Sequence, residues 1–360
     1  MRSMVMRTKA VRGIDTPPRR VVVLRALKLG DLLCAVPTFR ALRRAWPEAE
    51  IVLLSLPWAQ GFVERYRCYL DGFREFPGFP GLPEREPDIA RIPHFLREIQ
   101  EEHFDLAIQL HGSGSFVNPL TVLLGARRSA GFYLPGDYCP DTRLFCLWPA
   151  QGREVKRLLR LVEFLDLPTQ GDYLDFPLRG EDFLALEHIE GAEDLQAGEF
   201  VCLHPGASVP ERRWPLEWFA AIGEALAQHD LRLVLTGTAQ ETELTAALAR
   251  RMRVPVLDLA GRTDLGALAA LLCRARLLVC NDTGVSHVAD ALQLPSIVLS
   301  TGGNAERWGP ADHRLHRVFT NTESIHPNDV IAQAEELLDE PMATDSLSVA
   351  SSFRSDGFTD

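Results

Sequence analysis

An α/β fold with two domains, each a parallel sheet flanked by helices, follows from three observations. Short β-branched apolar runs alternate with helical patterns in two successive rounds, which is the signature of parallel strands joined by right-handed crossovers. Several of those runs stop at a polar, glycine-bearing elbow and restart as a helix. The 360 residues, 46% of them apolar, exceed what one hydrophobic core usually organises.

The first round opens at residues 21–24, a β-branched run, and a second run follows at 51–56. Between them Phe39, Leu42 and Trp46 recur at helical spacing. A third run lies at 104–110, with further helical text between. Proline and glycine across 77–87 predict a surface loop, and 153–165 reads as a charged amphipathic helix. The second round begins at 200. It runs strand 200–203, helix 215–228, strand 231–235, a helix from Glu241, strand 256–259, helix 265–273, strand 277–280, helix 285–292 and strand 296–299. A last helix is expected at 327–338. The resulting division is a basic leader over 1–19, a first domain over 20–178, a second over 179–326, a C-terminal helix over 327–340 and a disordered tail over 341–360.

A formal charge of −11 argues against a general nucleic-acid binder. The seven cysteines form no Cys-x-x-Cys pair and fall largely in apolar runs, so reduced, buried thiols in a cytoplasmic protein are expected, without zinc. No apolar run reaches membrane-spanning length, and no signal-peptide core is present near Met1. Six basic residues against Asp15 precede Val21, a pattern able to touch an anionic membrane face, although a disordered leader is the plainer reading.

The densest chemistry sits at two strand ends in the second half. Asn281-Asp282-Thr283-Gly284 follows an apolar strand and opens a helix, so its first-turn N–H groups and the helix dipole suit a phosphate. His204-Pro205-Gly206-Ala207-Ser208 ends another strand, and Arg212-Arg213-Trp214-Pro215 starts the next helix. Two elbows and a basic pair together suit one diphosphate. In the first half, Gly30-Asp31 follows the first strand; its carboxylate is either a helix cap or a base for a hydroxyl proton. Glu241, after Thr236-Gly237, either accepts ribose hydroxyls or simply favours a helix N-terminus. The chain lacks a Gly-x-Gly-x-x-Gly fingerprint, a P-loop, a zinc motif, an ordered Ser-His-Asp motif and an Asp-x-Asp metal motif.

The segments HPGAS (204–208), RRWP (212–215), LTGTAQE (235–241), LAGRTDLGALAALL (259–272), NDTGVSH (281–287) and RWGP (307–310), in that order, resemble the family-nine glycosyltransferases, among them the ADP-heptose:lipopolysaccharide heptosyltransferases. Residues 21–51 resemble that family's opening strand, Gly-Asp loop and first helix. The resemblance implies the GT-B architecture, two Rossmann-like domains with parallel sheets facing a central cleft, and a last helix that packs back toward the first domain.

It also implies an inverting transfer of heptose from ADP-heptose, or a similar nucleotide sugar, to a saccharide or glycolipid hydroxyl, with no cofactor and no metal. Asp31 would be the catalytic base, with Arg212 neutralising the leaving group. Donor contacts would come from His204, Ser208, Arg213, Thr236, Gly237, Glu241, Asp282, Thr283, Gly284 and His287, and acceptor-side contacts from Lys28 and Gly30. Trp308 is read as packing or site-lining. Leu27, Lys28 and Cys34 depart from residues the family often places there, and Arg212 stands where many members carry Lys. Pro57-Trp58-Ala59-Gln60 lacks the basic residues expected for a carboxylate-rich acceptor, so the acceptor is not identified. The competing classes are a nucleotide-sugar epimerase or hydrolase and a non-catalytic nucleotide-sugar-binding protein. A peripheral contact with the inner membrane face completes the expectations.

Overall fold

The computed structural model describes residues 12–14, 16–301, 303–320 and 324–340. The chain divides into two units between Tyr173 and Leu174, whereas the sequence put the boundary at 178. The first unit contains β1 (Arg20–Leu24), α1 (Leu29–Ala45), β2 (Glu50–Ser55), α2 (Ala59–Arg65), β3 (Gly72–Glu75), α3 (Ile92–Glu101), β4 (Leu106–Gln109), α4 (Val117–Leu123), β5 (Arg128–Tyr133), β6 (Phe145–Leu147) and α5 (Glu154–Phe164). Its six parallel strands run in the order β3-β2-β1-β4-β5-β6. β1 is central, Val22 pairing with Val52 on one side and Ala107 on the other, which is why its run is apolar throughout rather than alternating.

The second unit contains α6 (Gly180–Glu187), β7 (Phe200–His204), α7 (Leu216–Leu226), β8 (Arg232–Leu235), α8 (Thr242–Ala249), β9 (Val256–Asp258), α9 (Leu265–Arg274), β10 (Leu277–Asn281), α10 (Gly284–Ala291), β11 (Ser296–Ser300), α11 (Ala305–Trp308), β12 (His316–Thr320) and α12 (Pro327–Asp339). Its strand order, β12-β11-β10-β7-β8-β9, repeats the first unit's pattern. Each sheet therefore reverses its chain order at one place, between β1 and β4 and between β7 and β10.

The described residues bear on three expectations. Val330, Ala334 and Leu337 of α12 are buried with Leu226, Ile297 and Leu299, so the apolar face of a helix expected to pack back toward the first domain belongs to the second unit's core. Its stripe has the period of a core helix, and β10, β11 and α7 take it up. Within the leader, Arg12 N–H donates to Leu165 O (3.3 Å), Arg128 donates to Gly13 O, and Ile14 is buried. Folded structure thus starts before residue 20, because Ile14 supplies an apolar anchor; residues 1–11 and 15, and the tail expected at 341–360, lie outside the described residues. None of the seven cysteines forms a disulfide, but Cys68 is exposed and Cys139 half-buried. Burial pushes the Cys146 thiol up to about 12. No described helix is long and apolar enough to cross a membrane.

A buried histidine gives the second unit a pH dependence. His316, at the start of β12, has Nδ1 2.7 Å from Ser296 Oγ and Nε2 3.6 Å from Asp290 Oδ1. Ser296 is fully buried, which rules it out as a nucleophile toward dissolved substrate. Burial lowers the imidazole from 6.5 to about 4; Asp312 opposes this, while His313 and Arg317 add to it. Because the folded-state value lies below the unfolded one, stability is complete above pH 6.5 and is lost as pH falls from there toward 4. The shift corresponds to about 3 kcal/mol. In urea titrations at pH 7.5 and 4.5, the native chain should lose that much more stability than His316→Asn; equal losses would place the acid sensitivity elsewhere.

Candidate donor and catalytic sites

In open parallel sheets ligands bind beyond the carboxyl ends of the strands, where the chain order reverses. In the first unit that place is occupied by the loops leaving β1 and β4. Asp31 is the third residue of α1, while the residue preceding the helix is Lys28, extended and without a side-chain capping bond. Asp31 is therefore not the N-cap. It keeps only the general advantage of a carboxylate in a first helical turn, which leaves its side chain, 24% exposed, available for other work. Lys28 is exposed and Gly30 buried.

The backbone carrying Asp31 is held by a residue the sequence reading passed over. Arg25, fully buried at the end of β1, donates from Nε to Asp31 O (2.8 Å) and from Nη1 to Leu110 O. Its Nη2 lies 3.5 Å from Glu154 Oε1 and 3.9 Å from Asp31 Oδ1. Glu154 is shared with Arg157 at 3.6 Å. A buried guanidinium needs such partners, since an unpaired buried charge is strongly destabilising. On the next residue, Ala26 N–H donates to His111 Nδ1 (3.1 Å), which makes that nitrogen an acceptor and leaves Nε2 facing Glu84 Oε1 at 3.3 Å. Burial raises the Glu84 carboxyl, but the adjacent imidazole more than offsets this and holds it below the usual range. The visible signals were a charged residue closing the run Val21-Val22-Val23-Leu24 and a histidine closing Leu106-Ala107-Ile108-Gln109-Leu110.

In the second unit the loops after β7 and β10 flank the reversal point. The 205–214 loop is closed on itself. Arg213 donates from both Nε and Nη2 to Ala207 O (3.0 and 2.9 Å), and Trp214 is buried behind it. Arg212 is exposed, and its guanidinium has no protein partner among the described residues. The two arginines thus differ: Arg213 shapes the loop, and Arg212 offers its charge outward. Ser208 is exposed on the same loop.

Across from it, Thr283 stands at the cap position of α10, extended, with no side-chain capping bond. Ser286 uses the Thr283 carbonyl through both N–H (3.0 Å) and Oγ (2.7 Å). The N–H groups of Gly284 and Val285, first in the helix, have no carbonyl four residues back within it, which is the condition for binding an anion. Asp282 is tied back through Ser300 Oγ (3.0 Å). His287, one turn along, is buried with Trp308 edge-on at 6.4 Å, so Trp308 packs on the motif.

His204, Thr236, Gly237 and Glu241 form a third group. His204 Nδ1 lies 3.0 Å from Thr236 Oγ1, and Thr236 is fully buried, so this hydroxyl serves His204. Burial lowers the His204 pKa against the opposing charge of Glu241, which keeps the imidazole neutral. Glu241 Oε2 accepts from Thr238 N–H (2.8 Å) and Oγ1 (2.9 Å). One oxygen of Glu241 therefore closes a helical turn, which is the helix N-terminus alternative, while the other faces the Gly206 backbone, where an added Cβ would meet it. A side chain at 206 would have to displace that carboxylate from its bonds to Thr238.

A family model described as glycosyltransferase family 9 (heptosyltransferase) matches residues 92–338. The chain is 33% identical over 312 residues to the lipopolysaccharide heptosyltransferase 1 of Pseudomonas aeruginosa, covering 78% of each. It is 24% identical over 328 residues to the lipopolysaccharide heptosyltransferase 2 of Salmonella typhimurium, covering 86% of this chain and 91% of that one. The solved structure of the E. coli ADP-heptose lps heptosyltransferase II matches with a TM-score of 0.68 at 21% identity, covering 89% and 98%. That likeness shows the fold, two six-stranded parallel α/β units of the GT-B type.

Proposed function

The chain belongs to glycosyltransferase family 9, and on that premise we propose that it transfers a heptose from ADP-heptose to a hydroxyl of a saccharide or glycolipid, with inversion and without a metal. The observation that carries the reading is that Arg212, without a partner among the described residues, and the open N-terminus of α10 lie on the two loops that flank one reversal point. A departing nucleoside diphosphate develops charge as the glycosidic bond breaks, and a guanidinium and helix amides stabilise that charge in the transition state. Asp31 accepts the proton of the acceptor hydroxyl while its oxygen attacks the anomeric carbon on the face opposite the diphosphate. Relatives bearing the name lipopolysaccharide heptosyltransferase support heptose and a lipopolysaccharide precursor as the first substrates to try. The proposed setting is the cytoplasm, with peripheral contact at the inner membrane face.

The test is to incubate the purified chain with ADP-, UDP- and GDP-linked sugars, with and without saccharide and glycolipid acceptors, and to weigh the products. Expected is a product one heptose heavier than the acceptor, formed only with ADP-heptose and unaffected by EDTA. Consumption of the nucleotide sugar without acceptor would indicate an epimerase or hydrolase. Binding without turnover, insensitive to Asp31, would indicate a binding protein. Activity abolished by EDTA and restored by magnesium or manganese would end the metal-free mechanism.

A further inference from the structure

One buried amide joins the segments that flank the second unit's reversal point. Asn281, the last residue of β10, is fully buried, and both ends of its side chain are used. Nδ2 donates to Pro205 O (2.7 Å) and, more weakly, toward Gly206 O (3.5 Å), while Oδ1 accepts from Trp214 N–H (3.1 Å). Two carbonyls facing one nitrogen and an N–H facing the oxygen leave a single amide orientation. Pro205 and Trp214 are the two ends of the loop that carries Arg212, and Asn281 itself immediately precedes Asp282-Thr283-Gly284. Arg213, bonded twice to Ala207 O, closes the same loop from within.

We propose that Asn281 is a positioning residue: its amide fixes the 205–214 loop relative to the N-terminus of α10, so that Arg212 and the Gly284 and Val285 amides meet one diphosphate at a set spacing. This rests on the reading of these groups as the donor site. The spacing is set before the ligand arrives, because every bond in the clamp is internal to the protein. Binding then does not have to order the loop, which is where preorganisation gains affinity.

Asn281→Asp tests this through protonation. The variant is isosteric, and its carboxyl, when protonated, donates O–H to Pro205 O and accepts from Trp214 N–H as the amide does. When ionised it sets a negative oxygen against the Pro205 carbonyl and breaks the clamp. Burial raises a carboxyl pKa, which brings this titration toward neutral pH. Two readouts are taken at pH 8 and 5.5, each as a ratio to the native chain at the same pH: ADP affinity by calorimetry, and amide hydrogen exchange across 206–214 and 282–286. Expected at pH 8 is an ADP affinity weaker by about tenfold, the loss typical of a broken buried hydrogen bond, with faster exchange in both segments. Both ratios should return toward one at pH 5.5. Asn281→Leu, which cannot make either bond at any pH, should show the deficit at both.

Unchanged exchange in both segments at pH 8, or an ADP deficit in the Asp variant that ignores pH, would overturn the proposal. A fall in melting temperature with native ADP affinity would reduce Asn281 to a stabilising residue and overturn it as well. Should the Asp variant not fold at pH 8, Asn281→Ala, which removes both bonds without adding a charge, replaces it and should show the affinity and exchange deficits at both pH values, as Asn281→Leu does. The exchange readout needs no ligand. If the native chain does not bind ADP, the donor-site reading fails while the clamp is still judged by exchange.

Discussion

Asp31→Asn is expected to leave ADP binding within about twofold of the native chain while lowering transfer at least roughly a hundredfold, the range for loss of a general base. Position supports the separation. Asp31 is third in α1 and makes no capping bond, so the amide costs the fold only the favourable placement of a charge near a helix start, about 0.3–1 kcal/mol. Arg25 holds the Asp31 carbonyl rather than depending on its carboxylate alone, so the loop keeps its path in the variant. Glu at the same position restores a carboxylate at a shifted distance and should recover part of the rate. The measurement is initial rate at saturating donor, with ADP calorimetry on the same preparations. Transfer at the native rate, with a lowered melting temperature, would make Asp31 a structural residue and remove the base from the mechanism.

Arg212→Ala is expected to weaken ADP binding by roughly one to two decades, the cost of a lost charge-assisted contact, with no change in melting temperature. The guanidinium is exposed and has no protein partner among the described residues, so nothing in the fold depends on it. Arg213→Ala should behave differently. Its two bonds to Ala207 O belong to the loop, and their loss should speed exchange of the 205–214 amides along with any loss of affinity. Arg212→Lys keeps the charge without the planar fork and should fall between native and Ala. Equal ADP affinity in Arg212→Ala and the native chain, by calorimetry at low salt, would take this residue out of the site.

Strand runs such as Val21-Val22-Val23-Leu24 and Leu277-Leu278-Val279-Cys280 were legible because central parallel strands are buried on both faces, which writes a continuous apolar run into the chain. Of the edge strands, β9 was anticipated at 256–259, but β3 and β12 were not. β3 and β12 are half-buried over most of their length and carry Arg, Glu and His among their residues, so no apolar run marks them. β5 is a six-residue strand interrupted by glycine and opening on Arg128-Ser129, β6 has only three residues, and both were passed over.

By itself the sequence determined the two rounds of alternating strands and helices, the Gly-bearing elbows and the glycosyltransferase motifs, because each is written in neighbouring residues. Tertiary structure decided what those residues do for one another. It sent Arg213 inward to Ala207 and left Arg212 outward, although the two are adjacent in sequence and alike in charge. It committed one oxygen of Glu241 to Thr238 and set the other against Gly206. It gathered Arg25 with Glu154 across 129 positions, and Asn281 with Pro205 across 76 and with Trp214 across 67. A buried charge or amide must find its partners wherever the packed chain brings them, and such partners leave no periodic trace along the sequence.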